Sequence, residues 1–301
     1  MKNLAGRTAV ITGAASGFGL EAARIAASEG MHVVMADVQQ DALNRAAAEV
    51  EASGAQVLAR CVDVARADEV EALGAATLQR FGAPNFVFNN AGVSVGGLMW
   101  ENTLADWQWV LGVNLMGVVH GVRVFTPMML DAARRDAAFG GHIVNTASMA
   151  GLLSPPNMGL YNVSKHAVVA LSETLYQDLR LVTDQVTASV LCPYFVPTGI
   201  THSQRNRPAA LPAAKPTRSQ LINQAMSDKA VGSGKVSAAM VARKVFDALR
   251  DGSFYIYSHP HALGSVQTRM EDVLQMRNPT DPFAHKPAIG DELRAALRAA
   301  D

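Results

Sequence analysis

The sequence predicts an α/β fold, a single doubly wound domain in which a mainly parallel, seven-stranded sheet is flanked by helices. Three observations carry that expectation. Short β-branched runs alternate with longer Ala-rich segments of helical period from the start of the chain to about residue 192, the signature of βα units. The short runs are mostly apolar throughout, as strands covered on both faces must be. A length of 301 residues suits one large core and does not demand a second.

Six strands follow from these runs: Thr8 to Thr12, His32 to Asp37, Ala55 to Val62, Asn85 to Asn89, His142 to Ala147 and Val186 to Cys192. Helices fill the intervals. Ala105 to Arg134 is long for one helix, and Pro127 can only start or kink one, so a bend or break is expected there. The polar run that begins at Arg134 and ends at Gly141 reads as a surface loop. After Cys192 the pattern changes, because Pro193, Pro197, Pro208, Pro212 and Pro216 interrupt a stretch without sustained period. That stretch, about 194–236, reads as a mobile lid without helix. A helix returns at Ser237 to Leu249 behind a serine cap, followed by a seventh strand, Phe254 to Tyr257. Residues 1–258 thus form the main domain. The remainder, 259–301, reads as an extension with helices at Ser265 to Met276 and near Asp291 to Ala300, packed on the same domain or on a neighbouring subunit.

Charge narrows the partners. Lys plus Arg and Asp plus Glu both number 26, so no excess of either sign recruits nucleic acid or an anionic membrane, and a small neutral ligand fits better. Cys61 and Cys192 each end a predicted strand, where a free thiol behaves as a small hydrophobe, and a reducing cytoplasm is the expected compartment. The amino terminus has no apolar signal core and no apolar run approaches a bilayer span, so a soluble protein is expected. His259-Pro-His261 has no acid or cysteine at ligand spacing, so no metal is expected. His142 and His120 have no visible partner, and Trp100, Trp107 and Trp109 read as structural residues, with a pocket or subunit contact as the sharper alternative.

Two constellations carry chemistry. Thr12-Gly-Ala-Ala-Ser-Gly-Phe-Gly19 lies between the first strand and helix, where glycines let the backbone turn and a pyrophosphate approach the positive helix end. Gly13, Ser16, Gly17, Phe18 and Gly19 are its candidate contacts. Asp37 ends the second strand at the distance where a carboxylate accepts both ribose hydroxyls of an adenosine. A 2′-phosphate beside it would meet like charge, and Ala14, Ala15 and Ser16 supply no cation, which favours NAD over NADP. A strand-ending acid that starts a turn is the plainer alternative for Asp37. The second constellation is Tyr161-Asn-Val-Ser-Lys165, whose spacing puts phenol and ammonium on one helix face. The ammonium would lower the tyrosine pKa and let it trade a proton with a substrate hydroxyl. Ser148 ends the fifth strand, where its hydroxyl can hydrogen-bond a developing alkoxide.

Over about residues 5 to 258 the chain resembles the classical short-chain dehydrogenase/reductase family. The matching elements, in the family's order, are the glycine turn, Asp63-Val64, Asn89-Asn-Ala-Gly92, Asn114, Ser148, Tyr161 to Lys165 and Pro193 to Thr198. The resemblance implies a Rossmann-type fold and an oxidoreductase that interconverts a secondary alcohol and a ketone with NAD. By it, Ser148 orients the substrate oxygen, Tyr161 is the general acid/base, and Lys165 binds the nicotinamide ribose while lowering the tyrosine pKa. Asn114 would hold a water that links Lys165 to solvent, or else be a buried amide satisfied by backbone. Asp63 and Val64 would meet adenine, with a helix cap as the alternative for Asp63. Asn90 and Gly92 would turn over the middle of the cofactor, and Val196 and Thr198 would contact the nicotinamide carboxamide. Tyr194 stands where the family usually has glycine, and either walls the substrate pocket or packs on Phe195 and the sheet. With Leu152, Leu153, Pro155 and Met158 it implies a largely apolar pocket and a hydrophobic or aromatic substrate. A homotetramer or homodimer is implied as well. An idle dinucleotide-binding sensor and an NADP-dependent carbonyl reductase are the alternative functions.

Overall fold

A computed structural model of the chain describes Met1 and residues 3–299. Seven strands form one sheet in the order β3-β2-β1-β4-β5-β6-β7, and every neighbouring pair is parallel. They are β1 (Thr8–Thr12), β2 (His32–Asp37), β3 (Val57–Cys61), β4 (Phe86–Asn89), β5 (Gly141–Thr146), β6 (Val186–Cys192) and β7 (Tyr255–Tyr257). Successive side chains serve opposite faces, as the pleat requires. Ala9, Ile11, Val33, Met35, Phe86 and Phe88 join the core beneath α1 (Gly17–Ser28), α2 (Gln40–Ala52) and α8 (Ala238–Asp251). Val10, Val34 and Val87 join the other core, beneath α3 (Ala67–Phe81), α5 (Gly117–Arg135) and α6 (Gly159–Val182). The strand order reverses between β1 and β4, and the crevice at their carboxyl ends is where open sheets of this kind place ligands.

Four expectations need correction. The edge strand β3 is shorter than the apolar run, and it leaves Cys61 exposed while Cys192 is fully buried. The helix after β4 does not break at Pro127, which lies inside α5. It departs from α geometry earlier, where α4 (Leu104–Leu111) passes through a π-segment, Gly112–Met116, into α5. The polar surface loop begins two residues later than read, since α5 runs on to Arg135. The lid is not helix-free: a 3-10 segment, Gly199–Asn206, and α7 (Arg218–Gly232) occupy it.

The combined helical stretch Leu104–Arg135 does reach the length and mean hydropathy, 1.3, of a candidate membrane span, contrary to the sequence reading. Half of its apolar window is buried inside the protein, with Val118, Phe125 and Met129 packed in the core. In the last forty residues, the two expected helices are present a few residues earlier in the chain, as α9 (Leu263–Leu274) and α10 (Pro287–Arg298). The expected end of the second, Ala300, lies outside the described residues. Leu293 of α10 is buried, and the Arg218 guanidinium of α7 donates to the Ala299 carbonyl at 2.6 Å.

Candidate active site

The glycine turn joins β1 to α1 under tight steric limits. Gly13 and Gly17 take positive φ, and a Cβ on Gly19 would stand 2.2 Å from the Gly13 carbonyl oxygen. Gly13, Ser16, Gly17 and Phe18 border a cavity, whereas Gly19 is packed beneath the turn and does not. Its part is therefore close helix–strand packing rather than contact with a ligand.

Asp37, at the end of β2, is fixed on the cavity edge. One carboxylate oxygen accepts from the Ala15 backbone N–H and the other from that of Gln39, both at 3.0 Å. Asp63 and Val64 line the same cavity, and one Asp63 oxygen also accepts from the Ala65 N–H at 3.0 Å in the turn before α3. The helix cap considered for Asp63 falls instead on Arg66. Asn90, Gly92, Val196 and Thr198 complete this wall, with the Asn90 amide donating to the Thr12 carbonyl at 3.1 Å. Neutral backbone at the amino end of α1, a carboxylate at the end of β2 and an apolar wall at Val62 and Val64 suit a dinucleotide.

Tyr161 and Lys165 lie one turn apart at the start of α6, the ammonium 5.7 Å from the centre of the phenol ring. Lys165 is buried and donates to the Thr146 carbonyl at 2.8 Å. Burial governs both groups. It pulls the ammonium down to about 8 and pushes the phenol up to about 12, with the neighbouring Ser148 hydroxyl working against the latter shift. The phenol is thus held above its ordinary value rather than below it, as the spacing alone had implied. Ser148 accepts from the Ala150 N–H at 3.1 Å and donates to the Pro193 carbonyl at 3.3 Å.

Asn114 does not reach the cavity. It is fully buried in the π-segment, accepting from the Val93 N–H at 2.8 Å and donating to the Val93 carbonyl at 2.9 Å and to Ser164 at 3.1 Å. A Cβ placed on Gly92 would nonetheless lie 3.5 Å from its amide oxygen and 3.6 Å from the Lys165 ammonium. Both groups therefore border one small space over Gly92.

A second cavity, of about 550 Å³, adjoins the first. Ser148, Tyr161 and Tyr194 line both and so stand where they meet. Leu153, Pro155, Met158 and Phe195 make one apolar wall, whereas Leu152 is buried in the core beneath it. Tyr194 does both things considered for it: it walls the cavities, and its ring lies 4.3 Å from that of Phe195. Much of the remaining lining is polar, a departure from the expected apolar pocket. It includes Glu101, Asp106, Arg207 and Lys215 as well as Gln220, Asn223 and Gln224 on α7. Those amides are already engaged: Gln220 accepts from the Thr217 N–H, Asn223 donates to the Asn157 carbonyl and Gln224 to that of Thr201.

Sequence reasoning missed Arg205 and the buried pair of Asp106 and Arg207, and for Trp109 it is the pocket alternative that the structure favours. Trp109 borders the first cavity, and the Arg207 guanidinium lies 5.0 Å over its ring. Arg207 also pairs with Asp106 at 2.6 Å, each side chain only 6% exposed. Two capping boxes were visible as sequence signals, Thr103 with Asp106 and Thr217 with Gln220, and either one marks a helix start beside the site.

The family model described as short chain dehydrogenase matches residues 7–209. The chain belongs to the short-chain dehydrogenase/reductase family. Members of this family are oxidoreductases, and this short-chain dehydrogenase has solved relatives with the same fold. A Burkholderia phymatum member, crystallised in complex with NAD, is 52% identical with a TM-score of 0.91, over 94% of this chain and 99% of that one. The 1-deoxy-11-beta-hydroxypentalenate dehydrogenase of Streptomyces exfoliatus is 36% identical, over 89% of this chain and 88% of its own length. The CLA biosynthesis dehydrogenase/reductase of Lactiplantibacillus plantarum is 31% identical, over 91% and 95% respectively.

Proposed function

We propose that this short-chain dehydrogenase interconverts a secondary alcohol and a ketone with NAD, acting on a substrate with an apolar or aromatic body. The observation that carries the reading is the placement of Ser148 and Tyr161 at the junction of the cavity bordered by the glycine turn and Asp37 with a second, roomier one. The glycine turn and α1 would hold the pyrophosphate, Asp37 the adenosine ribose, and Lys165 the second ribose. A bound nicotinamide supplies the acceptor or donor of hydride.

The residues of the chain supply position and proton traffic. Ser148 directs its hydroxyl at the substrate oxygen, and Tyr161 exchanges a proton with that oxygen. In ketone reduction Tyr161 acts as an acid, and a phenol pushed up to about 12 carries its proton throughout the neutral range. In alcohol oxidation it must first release that proton, and the Lys165 cation and Ser148 hydroxyl stabilise the phenolate. Asp37 supports NAD over NADP, because its carboxylate is held on the cavity edge by the Ala15 and Gln39 N–H groups and a 2′-phosphate brought beside it would meet like charge. The apolar wall of Leu153, Pro155, Met158 and Phe195 supports the substrate class, and the α7 amides are largely engaged with the protein itself. The Burkholderia phymatum relative holds NAD, in keeping with the cofactor assignment.

The test is a screen for NAD reduction over aliphatic, sugar, steroid and aryl secondary alcohols, run with the Tyr161→Phe variant in parallel. Apolar or aryl alcohols should turn over in the parent, and the variant should lose at least about a hundred-fold in kcat, the lower scale of general acid–base catalysis, while keeping its affinity for NADH. Silence of the parent across the panel, or undiminished turnover by the variant, defeats the proposal.

A further inference from the structure

Four charged side chains border the dinucleotide cavity among the described residues: Asp37, Asp63, Lys165 and Arg205. Lys165 is committed to the Thr146 carbonyl and the face of Tyr161. Arg205 comes from the 3-10 segment of the lid, far in sequence from the glycine turn, yet a chain of contacts brings it there. Its Nη1 donates to the carbonyls of Gly199 and His202, both at 2.7 Å. Its Nη2 lies 2.8 Å from the point where a Cβ on Gly199 would stand. The preceding residue, Thr198, has its methyl 3.5 Å from the corresponding point on Gly17, the first residue of α1. The Arg205 carbonyl in turn accepts from the Gln39 amide at 3.4 Å, two residues beyond Asp37.

We propose that Arg205 binds the pyrophosphate of the dinucleotide and is the counter-charge that the lid brings to the glycine turn. The inference rests on the reading of this cavity as a nicotinamide dinucleotide site. A pyrophosphate carries two negative charges into a cavity that already holds two carboxylates. The end of α1 offers only about half a positive charge. A guanidinium on the same cavity offsets more of that negative charge, and its planar fork suits phosphate oxygens. No hydrogen bond to a described residue uses its Nε or Nη2, so both remain to donate. The pairing also ties the lid to the bound cofactor, because the 3-10 segment that carries Arg205 also contributes Ile200, which lines both cavities.

The test is titration of NADH, ADP-ribose, adenosine and NADPH into the parent, Arg205→Gln and Arg205→Lys proteins, with adenosine measured by competition. Arg205→Gln should weaken NADH and ADP-ribose alike by about ten-fold, the scale of one charge-assisted hydrogen bond at a partly exposed site. It should leave adenosine unchanged and flatten the dependence of NADH binding on KCl, and Arg205→Lys should fall between. Unchanged NADH binding overturns the proposal. So does an equal loss for adenosine, which would mean a disturbed lid, or a loss confined to NADPH, which would assign the guanidinium to a 2′-phosphate. A parent that binds no dinucleotide defeats the dehydrogenase reading itself, an outcome distinct from a parent that binds and a variant that matches it.

Discussion

Over the α-carbon of Gly92, the amide oxygen of Asn114 and the ammonium of Lys165 face one small space, 3.5 and 3.6 Å from where a methyl would sit. Those are ordinary contact distances, so Gly92→Ala should fold and fill the space without pushing either group aside. If a water there relays protons to Lys165, the methyl removes it. A lost hydrogen bond of about 1 kcal/mol corresponds to somewhat under ten-fold in rate, and kcat at saturating NAD should fall on that order. Stopped-flow measurement of alcohol oxidation checks this, and an unchanged kcat would show that Asn114 serves only to hold Val93 and Ser164. At this scale the residues that type and spacing single out, Tyr161 with Lys165, Ser148 and Asp37, all line the first cavity. The sequence could not disclose Asp106 with Arg207, which meet across a separation of 101 residues. Nor could spacing reveal that burial would push the Tyr161 phenol up to about 12.

At the scale of elements, the lid is where reading and structure part most. Helix α7 escaped because its apolar and polar residues are not segregated into a stripe, and periodicity detects only segregation. The reason is physical: its amides form the seam that joins the lid to the body, through Asn157 and Asn102. The pin of that seam is Arg207, which pairs with Asp106, covers Trp109 and donates to the carbonyls of Leu211 and Pro212 at 2.6 and 3.4 Å. Burial alone would raise the Asp106 carboxyl, but hydrogen bonds from Arg207 and Thr103 bring it below its ordinary value. Arg207→Met strands that carboxylate in the interior, and breaking one side of a buried pair costs about 3 kcal/mol or more. Adding Asp106→Asn should restore part of the loss in urea unfolding. Additive losses in the double variant would show that the two side chains are not coupled.

For the whole molecule, the doubly wound class and the placing of seven strands were legible because a sheet covered on both faces demands continuous apolar runs, and the runs in β1, β2 and β6 match their strands to the residue. What the runs did not show is how the sheet treats its buried polar groups. His142, which had no evident partner in the sequence, lies in β5 with its Nε2 2.7 Å from the Ser189 hydroxyl on β6, and that hydroxyl donates to the Ser253 carbonyl at 2.7 Å. Burial pulls the imidazole down to about 3, so the native sheet holds it neutral. The unfolded chain takes up a proton there near its ordinary value of about 6.5. Between those two values the unfolded state therefore binds the extra proton, and stability must fall as the pH drops through the window. This single group accounts for up to about 1.4 kcal/mol per pH unit. Urea midpoints measured at pH 7 and pH 5 should separate in the parent, and His142→Gln, which keeps a polar group opposite Ser189, should bring them closer while costing stability at pH 7. An equal separation in both proteins would place the acid sensitivity elsewhere.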